Sequence, residues 1–376
     1  MTVTVVLADD SSAQRRFLRA AVEAEPEFTV VGEARNGREA VALVARLHPT
    51  AVLLDLDLPG MSGMEAIERI MSVTPTPILV YGPHVTGSSS PCAVEALAAG
   101  AVDVLCEPGP EVDGTPEAYA VALRRKLRVA ARVRVITHPR SRLRTQGMSG
   151  ATGPPGATGS AAGTRGARAR QAVEPAEHEH GSGGSSVKLV AIGASTGGPQ
   201  ALLTLLGQLP RDLCQAVLVV QHMAEGFIPG LASWLDGLVP LPVTVGESGR
   251  RLAPGTVTIA PSGGNLLVQD DRLRVVCVPP EPGQFHVPGI DASFESIARA
   301  LGPDSVGVLL TGMGRDGAAG LLAMRERGAM TLGQDEATST VYGMPAAAFA
   351  LSAVERQLPL DELAPAVLGA LGRTWA

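Results

Sequence analysis

A long stretch without apolar periodicity divides this chain into two parts and limits what it can fold into. Residues 133–186 are rich in glycine, serine, proline and alanine, and they include GMSGATGPPGATG and HEHGSGGSS. Such a segment cannot bury enough apolar surface to offset the entropy that is lost on ordering. We therefore predict a disordered, basic linker over 133–186, one folded domain over 1–132 and a second over 187–376.

Short aliphatic runs alternate with helical patterns on both sides of this linker. The first part contains TVTVVLA, AVLLD and PILVY, and the second contains KLVAIGA, QAVLVVQ and SVGVLL. Hydrophobic residues make up 45% of the chain but aromatic residues only 3%, so the cores must be aliphatic. Continuous aliphatic strands alternating with helices are typical of parallel sheets covered by helices. We expect a five-stranded doubly wound parallel sheet first, and then a mainly parallel α/β domain with an antiparallel hairpin around QDDR.

The overall charge and the apolar pattern argue against several classes of protein. The net charge of −6 argues against nucleic-acid binding, and no apolar run is long enough to span a bilayer. The four cysteines are scattered and form no CxxC pair, which is typical of reduced thiols rather than of disulfides or a zinc site. The start, MTVTVVLADD, lacks the basic region of a signal peptide. We expect a cytoplasmic protein without membrane insertion.

Three carboxylates follow the carboxyl ends of two predicted strands in the first domain. Asp9 and Asp10 come directly after the first strand, and Asp55 ends the third. Because these strand ends form the ligand crevice of an open parallel sheet, the carboxylates should converge and repel one another unless a cation is present. Capping of a helix explains one such aspartate but not three on one edge. Carboxylate oxygens suit Mg²⁺, so we predict a magnesium site here.

The same segments carry a family resemblance. LADDSSAQRRFLRAAVE, LLDLDLPGMSGMEAI and AAGAVDVLCEPG resemble response-regulator receiver domains over about residues 1–130. The resemblance implies that Asp55 is the phosphoacceptor, that Asp9 and Asp10 hold Mg²⁺, and that the main chain at Asp57 completes the site. It also implies a histidine kinase as phosphodonor.

Two positions depart from the receiver pattern. The fourth strand of receivers ends in serine or threonine, and this chain has Gly82 there; the fifth ends in Lys-Pro, and this chain has Glu107-Pro108. The first change removes a hydroxyl donor to the phosphoryl group, and the second replaces a cation with a like charge. At close range in a shielded pocket, such a reversal should be worth on the order of a few kcal/mol. We predict that phosphorylation at Asp55 is weak or uncoupled from the output.

A glycine-flanked serine follows the first strand of the second domain. GASTG, residues 193–197, fits G-x-S-x-G, the pattern of a nucleophile on a sharp strand-to-helix turn. The pattern alone is weak, because a glycine-rich turn before a helix also binds phosphate. It does not match G-x-G-x-x-G, since Ser195 stands in place of the second glycine, and no G-K-[ST] follows.

A nucleophilic serine needs a base and an acid that orients the base. His222, in VVQHM, and Asp316, in TGMGRDG, each come just after an aliphatic strand, as Ser195 does. In a parallel sheet these ends share one edge, so the three side chains can converge. His286 and Asp291 remain as the rival base and the rival acid.

A second resemblance covers about residues 187–373. AIGASTGGPQAL, VVQHM, VGVLLTGMGRDGAAGLLAM and GQDEATSTVYGMP resemble the catalytic domain of chemotaxis protein-glutamate methylesterases, the CheB family. The resemblance implies that Ser195 is the nucleophile, His222 the general base and Asp316 its orienting acid. It implies the main-chain N–H of Met313 in the oxyanion site, and geometry adds that of Thr196 as a candidate.

The implied reaction is hydrolysis of glutamate methyl esters on methyl-accepting chemoreceptors, with release of methanol. The resemblance also allows deamidation of glutamine, because an amide presents a similar carbonyl. It implies no cofactor for catalysis, and it implies that the receiver domain gates the site. Two alternatives remain open, which are a serine hydrolase of another ester class and a non-catalytic signalling adaptor.

Overall fold

The computed structural model describes residues 2–82, 91–106, 115–133, 187–223, 226–284 and 286–373. The predicted linker lies outside the described residues apart from Val133, and Glu107 lies outside them as well. Within the described ranges, no helix is both long and apolar enough to cross a membrane.

The N-terminal domain is a parallel sheet with helices on both faces, as predicted. Its strands are β1 (Val3–Ala8), β2 (Phe28–Ala34), β3 (Ala51–Asp55), β4 (Ile78–Gly82) and β5 (Asp103–Cys106). Its helices are α1 (Ser12–Glu23), α2 (Gly37–Leu47), α3 (Gly63–Val73), α4 (Pro91–Ala99) and α5 (Pro116–Ala130). The strand order is β2-β1-β3-β4-β5. The order reverses between β1 and β3, and ligands bind outside the carboxyl ends of the strands at such a reversal.

Local sequence fixes the loop that follows β3. The side chain of Ser62 accepts a hydrogen bond from the amide of Glu65, whose carboxylate accepts one from the amide of Ser62. This capping box starts α3 at Gly63. A Cβ atom on Gly63 would lie 2.5 Å from the Cα of Leu56, so only glycine lets the helix start so close to Asp55.

The C-terminal domain is built on a seven-stranded sheet in which every pairing is parallel. Its strands are β6 (Leu189–Ala194), β7 (Ala216–Gln221), β8 (Val243–Val245), β9 (Val257–Ile259), β12 (Ser305–Leu309), β13 (Met330–Gln334) and β14 (Arg356–Leu358). Its helices are α6 (Gly198–Leu206), α7 (Ile228–Asp236), α8 (Ile290–Leu301), α9 (Ala318–Glu326), α10 (Met344–Ala350) and α11 (Leu360–Ala370). The order is β14-β13-β12-β6-β7-β9-β8, which places β6 between β12 and β7.

An antiparallel pair completes this domain and confirms the predicted hairpin. β10 (Asn265–Val268) pairs with β11 (Val275–Val278). The second strand begins at Val275, two residues after Leu273. Leu273 has a φ of 61° and belongs to the turn, in which the carboxylate of Asp270 accepts the amides of Arg272 and Arg274. The short strands β8 and β14 and the helix α10 were not predicted, because three to seven residues carry too little periodicity.

The two domains are in contact through apolar side chains. Helix α4 packs against α6 and α7. Val94 on α4 is fully buried within the apolar cluster of the C-terminal domain, and Phe227, just before α7, is buried within the cluster of the N-terminal domain. Val94 and Phe227 therefore each lie in the core of the other domain.

Candidate functional site

Ser195, His222 and Asp316 all lie beyond the carboxyl ends of three adjacent strands. Ser195 comes directly after β6, His222 directly after β7, and Asp316 in the loop that joins β12 to α9. The sheet order β12-β6-β7 makes these strands neighbours. The register supports the same arrangement, because Gly193 pairs with both Leu309 and Val220.

The glycines around Ser195 are sterically required. A Cβ atom on Gly193 would lie 2.5 Å from Cγ2 of Ile290, and Gly197 has a φ of 79° with Thr340 directly over it. The amide of Ser195 donates to the carbonyl of Thr311 at 3.0 Å, which ties the turn to the loop after β12. The G-x-S-x-G segment is thus a tight strand-to-helix turn with the serine at its apex.

The side chains of Asp316 and His222 are hydrogen-bonded to each other. Nε2 of His222 lies 2.7 Å from Oδ2 of Asp316. The same carboxylate accepts the amides of Ile290 at 2.8 Å, Asp291 at 3.0 Å and Gly317 at 3.0 Å. Burial alone would raise the pKa of Asp316, but the hydrogen bond and charge of His222, together with the amides of Asp291 and Ile290, lower it to about 2. Asp316 is therefore an ionised acceptor.

This contact decides the tautomer of the imidazole. An ionised carboxylate only accepts hydrogen bonds, so Nε2 of His222 carries the proton in the Asp316 contact. Nδ1 then holds the lone pair, and it is buried with no hydrogen-bond partner among the described residues. In the template of the serine proteases the two nitrogens have the opposite roles, with Nδ1 toward the aspartate. The nitrogen available to a hydroxyl here is Nδ1.

The main chain at Met313 lies beside the serine. A Cβ atom on Gly312 would lie 2.6 Å from Cβ of Ser195, so the loop after β12 passes directly against the nucleophile candidate. Thr311 joins the two loops, because its hydroxyl donates to the carbonyl of Thr196 at 3.0 Å. In the described part of the chain, the amides of Thr196 and Met313 donate to no acceptor. Both are available to an oxyanion.

The rival base and the rival acid occupy other positions. The ring of His286 stacks on that of His222, with centroids 4.5 Å apart and planes 8° from parallel. Burial lowers the pKa of His286, and the charge of His222 adds to this. Asp291 accepts the amide of Gly320 at 2.7 Å, and burial raises its pKa to about 6. Asp316, rather than Asp291, contacts the imidazole of His222. The stacking of His286 on His222 was not predicted from the sequence.

A cavity of about 990 Å³ opens beside Asp316, and its lining includes neither Ser195 nor His222. Gly314, Asp316 and His286 form part of its wall, and Arg125 on α5 of the N-terminal domain forms another part. An arginine of the first domain therefore faces the site of the second. No pattern in the sequence predicts this contact, because it depends on how the two domains pack.

The three carboxylates of the N-terminal domain also converge. Asp9, Asp10 and Asp55 each offer an oxygen, and these atoms all lie within 4.8 Å of one another. The amide of Asp57 donates to Oδ1 of Asp55 at 3.3 Å, so its main chain lies at the same pocket. This hard-oxygen donor set fits Mg²⁺.

Two further residues at this pocket were missed by sequence reasoning. Gly82, at the end of β4, has no hydroxyl, but the side chain of the preceding residue, Tyr81, donates to Oδ2 of Asp9 at 2.5 Å. Burial and the charge of Asp9 raise the pKa of Tyr81 well above its usual value, so it remains a donor. The guanidinium of Arg15 donates to the carbonyl of Asp9 at 2.7 Å. In the sequence, the one feature that could have indicated the Tyr81 contact is a tyrosine within an otherwise aliphatic strand.

Comparison with known proteins matches each domain to a family. The family described as CheB methylesterase matches residues 190–367, and the family described as response regulator receiver domain matches residues 5–112. The solved structure of the Thermotoga maritima CheB methylesterase catalytic domain is 30% identical, covers 49% of this chain and 98% of that chain, and has a TM-score of 0.46.

Relatives also match over nearly the whole chain. The protein-glutamate methylesterase/protein-glutamine glutaminase 3 of Paramagnetospirillum magneticum is 41% identical over 98% of this chain and 96% of its own length. The protein-glutamate methylesterase/protein-glutamine glutaminase 1 of Cupriavidus pinatubonensis is 39% identical over 97% of both chains. The chain therefore belongs to the CheB family of receiver-linked protein-glutamate methylesterases/protein-glutamine glutaminases.

Proposed function

We propose that this protein hydrolyses glutamate methyl esters on methyl-accepting chemoreceptors and releases methanol, with Ser195, His222 and Asp316 as its catalytic triad. The observation that carries the proposal is the 2.7 Å contact between His222 and Asp316, which leaves Nδ1 of the imidazole unpaired among the described residues, at the strand edge that bears Ser195. Deamidation of glutamine would use the same groups, because both substrates present a carbonyl at the end of the side chain.

The first step is acyl transfer to the serine. Oγ of Ser195 attacks the γ-carbonyl of the ester while its proton passes to Nδ1 of His222. The amides of Met313 and Thr196 donate to the developing oxyanion, in a pocket where such bonds are stronger than in water. The imidazolium is stabilised by Asp316, and it then protonates the methoxide oxygen as methanol leaves.

The second step frees the enzyme. Nδ1 of His222 takes a proton from a water molecule, and the resulting hydroxide attacks the acyl-serine carbonyl. Collapse of this tetrahedral intermediate breaks the bond to Oγ of Ser195, which takes back the proton. The product is a glutamate carboxylate on the receptor. The step requires no cofactor.

The receiver domain is proposed to control access to this site. Val94 and Phe227 join the two domains, and Arg125 lines the cavity beside Asp316. Asp55 is the proposed phosphoacceptor, with a chemotaxis histidine kinase as phosphodonor, and Asp9 and Asp10 would hold Mg²⁺ with Asp55 and the main chain at Asp57. When bound, Mg²⁺ would neutralise the charge that gathers on the phosphoryl oxygens.

The activity is tested by methanol release. The full chain, mixed with a methylated chemoreceptor fragment, is expected to release methanol and to leave small esters such as p-nitrophenyl acetate largely intact. Radiolabelled methyl groups on the receptor give the readout. Efficient hydrolysis of the small ester with no methanol from the receptor would assign the triad to another ester class, and no turnover of either would favour an adaptor.

The response to phosphorylation should be weak. With acetyl phosphate or beryllofluoride, we expect the rate of methanol release to change by less than about 5-fold, which is the lower end of the range typical of allosteric coupling. The reason is that Gly82 lacks the usual hydroxyl and Glu107 reverses the usual charge.

The matched variants for this experiment are Glu107→Lys and Asp55→Asn. Glu107→Lys should increase the response to the phosphodonor, and Asp55→Asn should leave the unstimulated rate unchanged. Full activation of the unmodified chain by acetyl phosphate or by beryllofluoride would refute the predicted uncoupling without affecting the triad.

A further inference from the structure

Gln221 connects the main chains that carry the serine and the histidine. It is the last residue of β7 and its side chain is buried, with 1% exposed. Its Nε2 donates to the carbonyl of Ser195 at 2.9 Å and to the carbonyl of His222 at 2.7 Å. A primary amide has two N–H donors, so both are used.

The side chain crosses the start of helix α6 to make these contacts. A Cβ atom on Gly198 would lie 2.9 Å from Cδ of Gln221, and still closer to its Oε1. Glycine at position 198 is therefore required for the amide to reach Ser195. Gly198, the last glycine of GASTGG, lies outside the G-x-S-x-G pattern, and its contact with Gln221 explains why glycine is needed there.

The need of the Ser195 carbonyl for a partner does not explain this arrangement. The carbonyl of Ser195 already accepts the amide of Gly198 at 2.8 Å, so it would keep a partner without Gln221. Oε1 of Gln221 is buried with no partner among the described residues, which costs free energy. A glutamine that served folding alone would be expected to satisfy both ends of its amide.

We propose that Gln221 is a positioning residue that holds Oγ of Ser195 within reach of Nδ1 of His222. The two residues follow neighbouring strands, and the one rigid amide group of Gln221 bonds to the main-chain carbonyl of each. The amide of His222 also donates to the carbonyl of Ala194 at 3.0 Å, so the Gln221 amide adds to a tie between the strand ends. This inference rests on the proposed triad. Its consequence is that loss of the amide lets the two loops shift relative to each other, while the cavity beside Asp316 keeps its lining, to which Gln221 does not belong.

The test replaces Gln221 with methionine, which has a similar length and no donor. We expect kcat for methanol release to fall about 100-fold with KM nearly unchanged, because a displacement of the reacting groups of about 1 Å has an effect of this size. The control is Thr331→Val. Thr331 is buried on β13, and its hydroxyl accepts the amide of Glu355 at 3.2 Å, so the variant loses a buried polar contact far from the triad.

A fluorophosphonate that labels the serine separates positioning from stability. A positioning role predicts that every Gln221→Met molecule is labelled, but with a rate constant lower by about the same factor as kcat. A merely structural role predicts a smaller labelled fraction with the rate constant of the unmodified chain, and this outcome would overturn the proposal. If the unmodified chain is not labelled at Ser195, the proposed triad itself is wrong, which is a distinguishable result.

Discussion

Ser195→Ala is expected to lower kcat for methanol release by about 10⁶-fold, to the level that binding and the oxyanion donors alone support. The proposed reaction begins with attack by Oγ of Ser195, and no neighbouring group replaces it. The contacts that hold the turn use the main chain, since the amide of Ser195 donates to Thr311 and its carbonyl accepts from Gly198 and Gln221. Alanine keeps all three, so the variant should fold normally.

Thermal unfolding and methanol release measured on the same preparations check this expectation. Ser233→Ala, on the exposed side of α7, is the matched control and should behave like the unmodified chain. Methylesterase activity that survives Ser195→Ala with only a small loss would exclude Ser195 as the nucleophile.

The placement of Ser195, His222 and Asp316 at one edge of the sheet could be predicted from the sequence because it follows from one rule about parallel sheets. Ser195, His222 and Asp316 each come after an aliphatic strand, and such strand ends share one edge. The rule does not give the order of the strands, and it does not choose between Asp316 and Asp291. The choice depends on Asp316 reaching Nε2 of His222 at 2.7 Å, which is a property of the packed loops.

Contacts between residues far apart in the chain could not be predicted in the same way. Tyr81 contacts Asp9 across the interior of the receiver sheet, and His286 stacks on His222 from the loop before α8. Neither contact leaves a periodic or spacing signal in the sequence. The receiver pocket was therefore predicted with its carboxylates but without the tyrosine hydroxyl that approaches them.

Two aspartates lock helices α8 and α9 together at the site. Asp316, just before α9, accepts the first two amides of α8, at Ile290 and Asp291. Asp291 in turn accepts the amide of Gly320 in the first turn of α9. Each helix start thus receives a carboxylate from the other segment, which favours both termini. The same amides fix the Asp316 carboxylate in the orientation that receives Nε2 of His222.

Asp316→Asn is expected to lower kcat by about 10⁴-fold, the effect seen when the acid of a serine triad becomes an amide. Each oxygen of Asp316 accepts two hydrogen bonds, so an asparagine, with one acceptor oxygen, must lose two of the four. If its NH₂ faces His222, the imidazole must present a lone pair at Nε2 and carry its proton on Nδ1. Nδ1 then cannot accept the proton of Ser195.

Asp291→Asn is the control that separates the two carboxylates. It should lose far less activity, because Asp291 is not hydrogen-bonded to His222. Its own pKa is raised to about 6, so its ionisation opposes folding above that pH, and the amide should be neutral or mildly stabilising there. Equal losses of activity in the two variants would contradict the assignment of Asp316 as the orienting acid.

The stability of Asp316→Asn relative to the unmodified chain should also depend on pH. The pKa of Asp316 is lowered to about 2, so its carboxylate stabilises the fold by on the order of 2 kcal/mol above the unfolded pKa. That stabilisation is lost as the pH falls from about 4 toward 2. Asp316→Asn should therefore be less stable than the unmodified chain at neutral pH and should approach it in acid. Urea unfolding at pH 7 and pH 3 measures this difference, and a stability gap that does not shrink in acid would mean that the Asp316 carboxylate is not held ionised by His222 and the α8 amides.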